Sequence, residues 1–469
     1  MIWKRLPIAI VAAALLSFGA CSRAPVRPTH VIFISLDTAR ADHFGFMGST
    51  KVATPGLDAL SAESIVFTDY MTVAPTTLAS HTSLFTGKYP HHHGTPRNGF
   101  MVNLQNDMLA EILKEAGYHT AGFAGSFALD ARFDFAQGFD HYDQEFDIFA
   151  RVDGTDQNQR RAEDVTDAVV SYLDRNGVPD RLFLFVHYFD PHSPYSAPPP
   201  FDTLYDPEGR DGLPEIKAIR KSPELTPPER ERAASRMALQ YDAEISYTDH
   251  HVGRLLEDLR SRGVLDDAIV VVTSDHGESM WEHEEEFTHG FFVYQSTMHA
   301  LCLIRLPGGE SGNTRVDGTV ASIDLLPTVL ERLGLPVPEG VDGEVIPLGR
   351  IDQGLPDRIR YGEATYPHRR VETDPRWTNM RKARCVREGP YKFIRTPYLG
   401  TAEIYDVLAD PNEIRDMTRM RAAALVDTRR RLSEKLAAWS LSADPLPSHF
   451  DSSQQSETEA RLRSLGYLR

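Results

Sequence analysis

Four residues far apart in the chain are of the types that hold a divalent cation beside a reacting oxygen: Asp37, Thr77, Asp275 and His276. Two carboxylates, an imidazole and a hydroxyl suit Mn²⁺, Zn²⁺ or Ca²⁺, and the imidazole favours the first two. Such an ion would deprotonate or orient the Thr77 hydroxyl and polarise an ester oxygen. Thr77 lies in the stretch 74–94, which begins Ala74-Pro-Thr-Thr-Leu-Ala-Ser-His81. Pro75 can sit where a helix begins, because its missing N–H costs nothing there. Thr77 then falls in the first turn, among free N–H groups at the positive end of the helix dipole. Leu78, Leu84 and Phe85 would bury one face, and Gly87 is placed to stop the helix. A hydroxyl at such a helix start can attack an anionic ester, because the same N–H groups hold the oxyanion. Plainer explanations exist for both parts: an N-capping Thr76-Thr77 pair, and a turn carrying an exposed histidine at Asp275-His276.

The elements that must position these residues are buried strands. Residues 30–36 form a continuous apolar run ending in Asp37. A run without alternation predicts a strand covered on both faces, hence a parallel sheet with helices around it. Asp37 then stands at a strand's carboxyl end, where open α/β sheets place their ligands. The runs 182–189 and 268–273 have the same character, and the second delivers Ser274-Asp275-His276-Gly277-Glu278. Further strands are expected at 117–124 and 303–306. Helices are expected at 54–66 (with Leu57, Leu60 and Ile65 inward), 157–175, 236–262 (Leu239, Ile245, Val252, Leu255 and Leu256 on one side) and 323–333. The alternation predicts an α/β fold with a mostly parallel central sheet flanked by helices. Residues 196–234, rich in Pro and charge, read as a surface excursion. After residue 350 the texture changes. Short antiparallel strands at 384–392 and 402–405 and a closing helix at 422–439 predict a small second unit. The expected division is 30–350, 351–440, and a polar stretch 441–469 packed loosely apart from Leu465-Gly-Tyr-Leu468.

A length of 469 residues fits one large domain plus a smaller one. The formal charge of −17 argues against nucleic-acid binding, which needs a basic face. At the start, Lys4 and Arg5 precede an apolar run from Ile8 to Phe18 and then Gly19-Ala20-Cys21-Ser22. This is the pattern of a bacterial export signal, residues 1–20, too short to span a bilayer comfortably. Small residues directly before a cysteine resemble a bacterial lipoprotein's lipobox, although Phe18 is larger than usual there. That resemblance implies cleavage before Cys21, acylation of its thiol, a tether over 21–29 and membrane attachment. Ser22 fits the outer-membrane default, with the protein facing the periplasm. Plain secretion is the alternative. Cys302 and Cys385 make no disulfide framework, and Cys302 in its apolar run reads as a small buried hydrophobe.

From about residue 29 to 410 the sequence resembles the sulfatase family of the alkaline phosphatase superfamily. The resemblance is carried by Ser35-Leu-Asp-Thr-Ala-Arg-Ala-Asp-His43, the stretch 74–94, the Asp190-Pro-His192 turn, Thr273-Ser-Asp-His-Gly-Glu278, Thr288-His-Gly290 and Tyr391-Lys-Phe-Ile-Arg395 with Glu403-Ile-Tyr-Asp406. Together these segments are far more specific than one motif. The resemblance implies an alkaline-phosphatase-like sheet with a small C-terminal antiparallel sheet and helix. It also implies one divalent metal on Asp37, Asp275 and His276, and Thr77 in the nucleophile's position. By the same matching, His192 is a substrate or leaving-group contact, Asn98 an oxyanion contact, and His289 a further contact after the Asp-His pair. His91-His92-His93 matches a structural turn.

Three departures bear on the chemistry. Sulfatases usually place Cys or Ser, converted to formylglycine, where Thr77 stands, and an Arg where His81 stands; His81 is therefore expected to contact substrate. Thr38 replaces the second residue of an Asp-Asp pair. Gly125-Ser-Phe127 replaces Gly-Lys-Trp-His. A formylglycine hydrate expels sulfate by collapsing to the aldehyde, whereas a threonine ester needs a second displacement by water or an acceptor alcohol. The expected activity is cleavage of a small-molecule, glycan or lipid sulfate or phosphate ester through Thr77. The alternatives are an envelope phosphodiesterase or phosphoglycerol-type transferase, and a catalytically inactive sulfatase fold that only binds.

Overall fold

The computed structural model describes residues 28–146, 158–283, 285–366, 381–450, 455–465 and 467. The expected signal peptide, Cys21 and the tether as far as residue 27 lie outside the described residues.

The apolar run His30–Leu36 forms the middle strand of the central sheet, and its side chains divide between two cores. Val31 and Phe33 enter one core with Phe183, Phe185 and Val271. Ile32, Ile34 and Leu36 enter the other with Leu184, Val186, Val270 and Val272. Burial on both faces is why these strands read as unbroken apolar runs. Leu182–Tyr188 pairs with the middle strand on one side and Ala268–Ser274 on the other, both parallel and in register. His119–Phe123 and His141–Asp143 continue the sheet in parallel. On the other side Cys302–Arg305 is antiparallel to both its neighbours, Ala268–Ser274 and Ile65–Phe67. Among the described residues the sheet has eight strands, ending at Thr314–Val316.

Helix Pro227–Ser261 covers one face. It starts earlier than the expected 236, on Thr226, whose backbone N–H donates to Glu229 Oε2 at 2.8 Å in a capping box. Met237, Tyr241, Ile245, Val252, Leu255 and Leu256 face inward, whereas Leu239 is only partly buried. The helix expected at 54–66 is shorter, Pro55–Ser61, and Ile65 opens a strand instead. A β-branched residue followed by Val66 and Phe67 prefers the pleated surface. Helix Thr77–Thr86 lies on the opposite face, where Leu78, Leu84 and Phe85 are buried.

The small antiparallel sheet comprises Arg360–Glu363, Arg384–Glu388, Tyr391–Thr396 and Thr401–Asp406. Helix Ala423–Leu441 closes it through Leu432, Leu436 and Trp439. The chain after 441 is less loose than its composition suggests. It forms helix Gln455–Ser464, and Leu462, Leu465 and Tyr467 enter the large core.

Candidate active site

Register brings the ligands together. Leu36 is opposite Ser274, so Asp37 and Asp275 emerge side by side from adjacent strand ends. Ligand atoms of Asp37, Asp275 and His276 lie within 4.8 Å of one another, all buried. His276 Nδ1–H donates to the Gly277 carbonyl at 2.9 Å, which leaves the lone pair on Nε2. That Nε2 stands 3.4 Å from Asp275 Oδ2. Gly277 is required here, since a Cβ would lie 2.2 Å from the Ser296 carbonyl oxygen. Asp275 Oδ1 accepts the backbone N–H groups of Thr38, at 3.1 Å, and His276, at 2.8 Å. Thr38, in place of a carboxylate, adopts a left-handed φ of 55° and helps through its backbone.

The buried ligand atoms form a set to which a divalent cation would be suited. Asp37 Oδ1, Asp275 Oδ2 and His276 Nε2 are buried with no hydrogen-bond partner. Burial raises Asp37 well above the usual carboxylate range, the nearby Asp275 and Glu278 raise it further, and the Thr77 hydroxyl draws it back. Burial also pushes Asp275 up to about 6, against the pull of His81. Burial lowers His276 well below its usual value, which keeps the imidazole neutral. Two carboxylates and a neutral imidazole with unshared lone pairs facing one point fit a divalent cation.

Thr77 is the first residue of its helix, Gly87 ends it at φ 66°, and every residue in it is buried. Full burial of so many hydroxyls is possible because they find carbonyls: Thr82 that of Leu78 and Thr86 that of Thr82, one turn back in the helix, and Ser80 that of Asp275 beyond a strand end. Neither threonine caps the helix by its side chain. Thr76 Oγ1 donates to the Pro75 carbonyl, and Thr77 Oγ1 bonds the Tyr467 hydroxyl at 2.9 Å. Asn98 Oδ1 accepts the Leu78 N–H at 2.8 Å, and its Nδ2 is buried with no partner. Asn98 thus holds an N–H donor in reserve beside the start of the helix.

His192 and His289 line a cavity of about 630 Å³ together with Glu278 and Tyr467. His192 Nδ1–H donates to the Ser193 carbonyl at 2.8 Å, so its unpartnered Nε2 carries the lone pair. His289 Nδ1 lies 3.1 Å from Glu278 Oε1. Burial brings both imidazoles down to about 3, with His289 adding to the effect on His192.

His81 does not join this group. It is fully buried, its Nδ1–H donates to the Thr77 carbonyl at 2.8 Å, and its Nε2 accepts the Ser35 hydroxyl at 2.8 Å. With both nitrogens taken by protein, it positions the helix start, and the expected substrate contact at His81 is corrected accordingly. The 91–93 tract is also structural: His93 bonds Ser83 and His92 bonds Asp342.

Two residues of the site were not assigned a role from the sequence. His187 Nδ1 accepts the Gly125 N–H at 3.3 Å, so its proton is on Nε2, 3.2 Å from Asp37 Oδ2. The signal was present, since His187 lies in the apolar strand run and points to the same face as Ser35, opposite it in register. His187→Ala is expected to weaken cation affinity about 10- to 100-fold, because outer-shell partners orient ligands; metal titration by calorimetry measures it. The second is Tyr467, which the apolar cluster Leu465-Gly-Tyr-Leu468 marks for packing but not for a chemical role.

The fold is a mostly parallel α/β sheet flanked by helices, with a candidate metal site at the ends of two adjacent middle strands. The sulfatase family description matches residues 29–335, and that of the N-sulphoglucosamine sulphohydrolase C-terminal region matches 283–441. The chain belongs to the sulfatase family. It is 29% identical over 341 residues to the ulvan-active sulfatase of Formosa agariphila, an alignment covering 68% of this chain and 64% of that protein. The chain thus spans less than two thirds of that relative's length. Among solved structures, the phosphonate monoester hydrolase of Silicibacter pomeroyi superposes with TM-score 0.69 at 22% identity, over 89% of this chain and 96% of that one. A structure in complex with its substrate D-glucosamine-2-N,6-O-disulfate superposes with TM-score 0.69 at 20% identity, over 89% of this chain and 99% of that one. At these identities the superpositions speak to the fold.

Proposed function

We propose that this protein hydrolyses sulfate esters with Thr77 as the covalent nucleophile. The observation that carries the proposal is the Thr77 hydroxyl at a helix start, next to Asp37 in a cluster of unshared ligand atoms. Asp37, Asp275 and His276, with Thr77, would hold one divalent cation, which when bound supplies Lewis-acid polarisation of the ester oxygen. The chain's own residues do the rest. His81 and Ser35 hold the helix start, and Asn98 Nδ2 donates to the oxyanion. Thr77 Oγ forms a bond to sulfur as the bond from sulfur to the leaving alcohol breaks, and the Thr77 proton ends on that alcohol. Water then attacks sulfur and expels Thr77. His192 Nε2, with a free lone pair, relays a proton of that water to the Thr77 oxygen as it leaves.

The cavity supports a reading of the substrate class. Lys217, Lys221 and Arg463 stand on its lining in a protein of net charge −17, which suits an anionic saccharide. The proteins it resembles include one named for ulvan and one solved with a glucosamine disulfate, so a sulfated glycan is the substrate class proposed here. A phosphoric ester is the second possibility. Thr77 itself favours it, because a threonine ester leaves only by displacement. Turnover of para-nitrophenyl sulfate against para-nitrophenyl phosphate and bis-para-nitrophenyl phosphate separates the two. Preference for the diester, or transfer of its phosphoryl group to added glycerol, would replace the sulfatase assignment with the phosphodiesterase or transferase one. The absence of turnover and of bound metal would indicate a binding protein.

We further propose export and lipid attachment through Cys21 to the outer membrane, on the strength of Lys4-Arg5, the apolar run and Gly19-Ala20-Cys21. Among the described residues no helix is long and apolar enough to cross a membrane. Cys21→Ser is expected to move the protein from the membrane fraction to the soluble one, since acylation needs the thiol. Unchanged fractionation would remove the anchor.

A further inference from the structure

Both family matches end by residue 441, yet the chain beyond it reaches the candidate nucleophile. The path is built. Met101 N–H donates to the His449 carbonyl at 2.9 Å, and Phe450 packs on Phe100 with ring centroids 5.8 Å apart. In helix Gln455–Ser464, Leu462 is fully buried and the Arg461 guanidinium lies 4.0 Å over the Phe127 ring. Asn158 Nδ2 donates to Ser464 Oγ at 2.8 Å. Tyr467 N–H donates to the Leu462 carbonyl at 2.9 Å, and the Tyr366 hydroxyl donates to the Tyr467 carbonyl. These contacts deliver a phenol that is 5% exposed, with its ring 5.4 Å from that of His192 and 5.9 Å from that of His289. Its oxygen is 2.9 Å from Thr77 Oγ1.

An oxygen that close to the nucleophile must either withdraw when substrate arrives or take part in the reaction. Packing of Leu462, Leu465 and the Tyr467 ring into the main core, with the bonds above, opposes withdrawal. We propose that Tyr467 is a catalytic residue, its phenol donating a hydrogen bond to Thr77 and then to an oxygen of the group that Thr77 accepts. The proposal rests on Thr77 being the nucleophile. Either hydroxyl can be the donor at this distance, and a phenol that donates to Thr77 Oγ leaves the Thr77 proton free to depart. The Thr77 Oγ–H bond and the bond from sulfur to the leaving alcohol break, the bond between Thr77 Oγ and sulfur forms, and the Thr77 proton ends on the leaving alcohol. Tyr467 keeps its proton throughout and changes only the oxygen its hydrogen bond reaches. A sulfuryl group on Thr77 must place its oxygens around Oγ, in the space this phenol borders. A donor fixed there costs no reorganisation during reaction.

The test is Tyr467→Phe, which keeps the ring and its packing, assayed beside Thr77→Ala on the para-nitrophenyl ester the parent turns over fastest. Expected is a fall in kcat of about 100-fold, in the range for loss of one oxyanion donor, with KM little changed and the melting temperature that of the parent. A structural role would move melting temperature or KM and spare kcat. Parental kcat in Tyr467→Phe, with Thr77→Ala inactive, overturns the role of Tyr467 and leaves the nucleophile standing. A rise in kcat/KM also overturns it and makes the segment an inhibitory plug. Parental turnover by Thr77→Ala removes the nucleophile, and with it this proposal.

Discussion

Thr77→Ala is expected to lower kcat by about 10⁴-fold or more, because removing a covalent nucleophile removes the reaction path. The fold should survive. Thr77 holds its helix start through its carbonyl, which accepts from His81, and alanine keeps that carbonyl. What disappears is one hydroxyl and one methyl group, and with them the bond to Tyr467. Thr77→Ser should retain a measurable fraction of activity, since the hydroxyl remains and only its rotamer restraint is loosened. Intact-mass measurement after rapid quench should find a sulfuryl- or phosphoryl-sized adduct on the parent and none on the alanine variant. An adduct that persists on the alanine variant would transfer the role elsewhere, with Thr76 the nearest hydroxyl. Thr76 is the weaker candidate, because its oxygen is engaged by the Pro75 carbonyl and Thr365.

Asp275→Asn is the second large effect. One oxygen of this side chain is held by the N–H groups of Thr38 and His276, and the other has no partner. The amide keeps the shape but offers a weaker neutral ligand, so cation content and turnover should fall together. About 10³-fold in kcat corresponds to the several kcal/mol a polarising cation supplies. Full metal occupancy with unchanged turnover would take Asp275 out of the site. Stability carries an independent signature. Burial raises Asp275 from 3.8 to about 6 in the folded chain. Between those values the chelated native state binds more protons than the unfolded one, so its stability falls as pH rises through that window and levels off above it. Metal should abolish the slope, and Asp275→Asn should flatten it. Melting temperature across pH, with and without chelator, measures both.

What could be read from the sequence divides by distance along the chain. The strands carrying Asp37 and Asp275 were legible because their burial on both faces leaves unbroken apolar runs that end abruptly in polar residues. Thr77 was legible from its own neighbours, with proline before it and glycine ending the helix. The start of the long helix was equally available in Thr226-Pro-Pro-Glu229 and was obscured by the charge around it. His81 misled because residue type alone does not say which way a side chain faces, and two hydrogen bonds turn it inward. Tyr467 could not be found by any periodic pattern. Its meaning lies in one contact across 390 positions of sequence, reached from a segment whose composition is that of a solvated surface.

The register of the three middle strands governs how this protein can diverge. Side chains at the ends of hydrogen-bonded neighbours are spaced by the interstrand repeat of about 4.8 Å, and that spacing cannot change without breaking a ladder along the whole strand. Asp37 and Asp275, which follow Leu36 and Ser274 in that register, therefore keep a fixed spacing. Adaptation to ester groups of other sizes must come from segments that reach the cavity without belonging to the sheet. Among the segments that do so are the excursion carrying Lys217 and Lys221 and the segment carrying Arg463 and Tyr467. Exchanging either is expected to change what the cavity accepts while leaving the spacing of Asp37 and Asp275 in place.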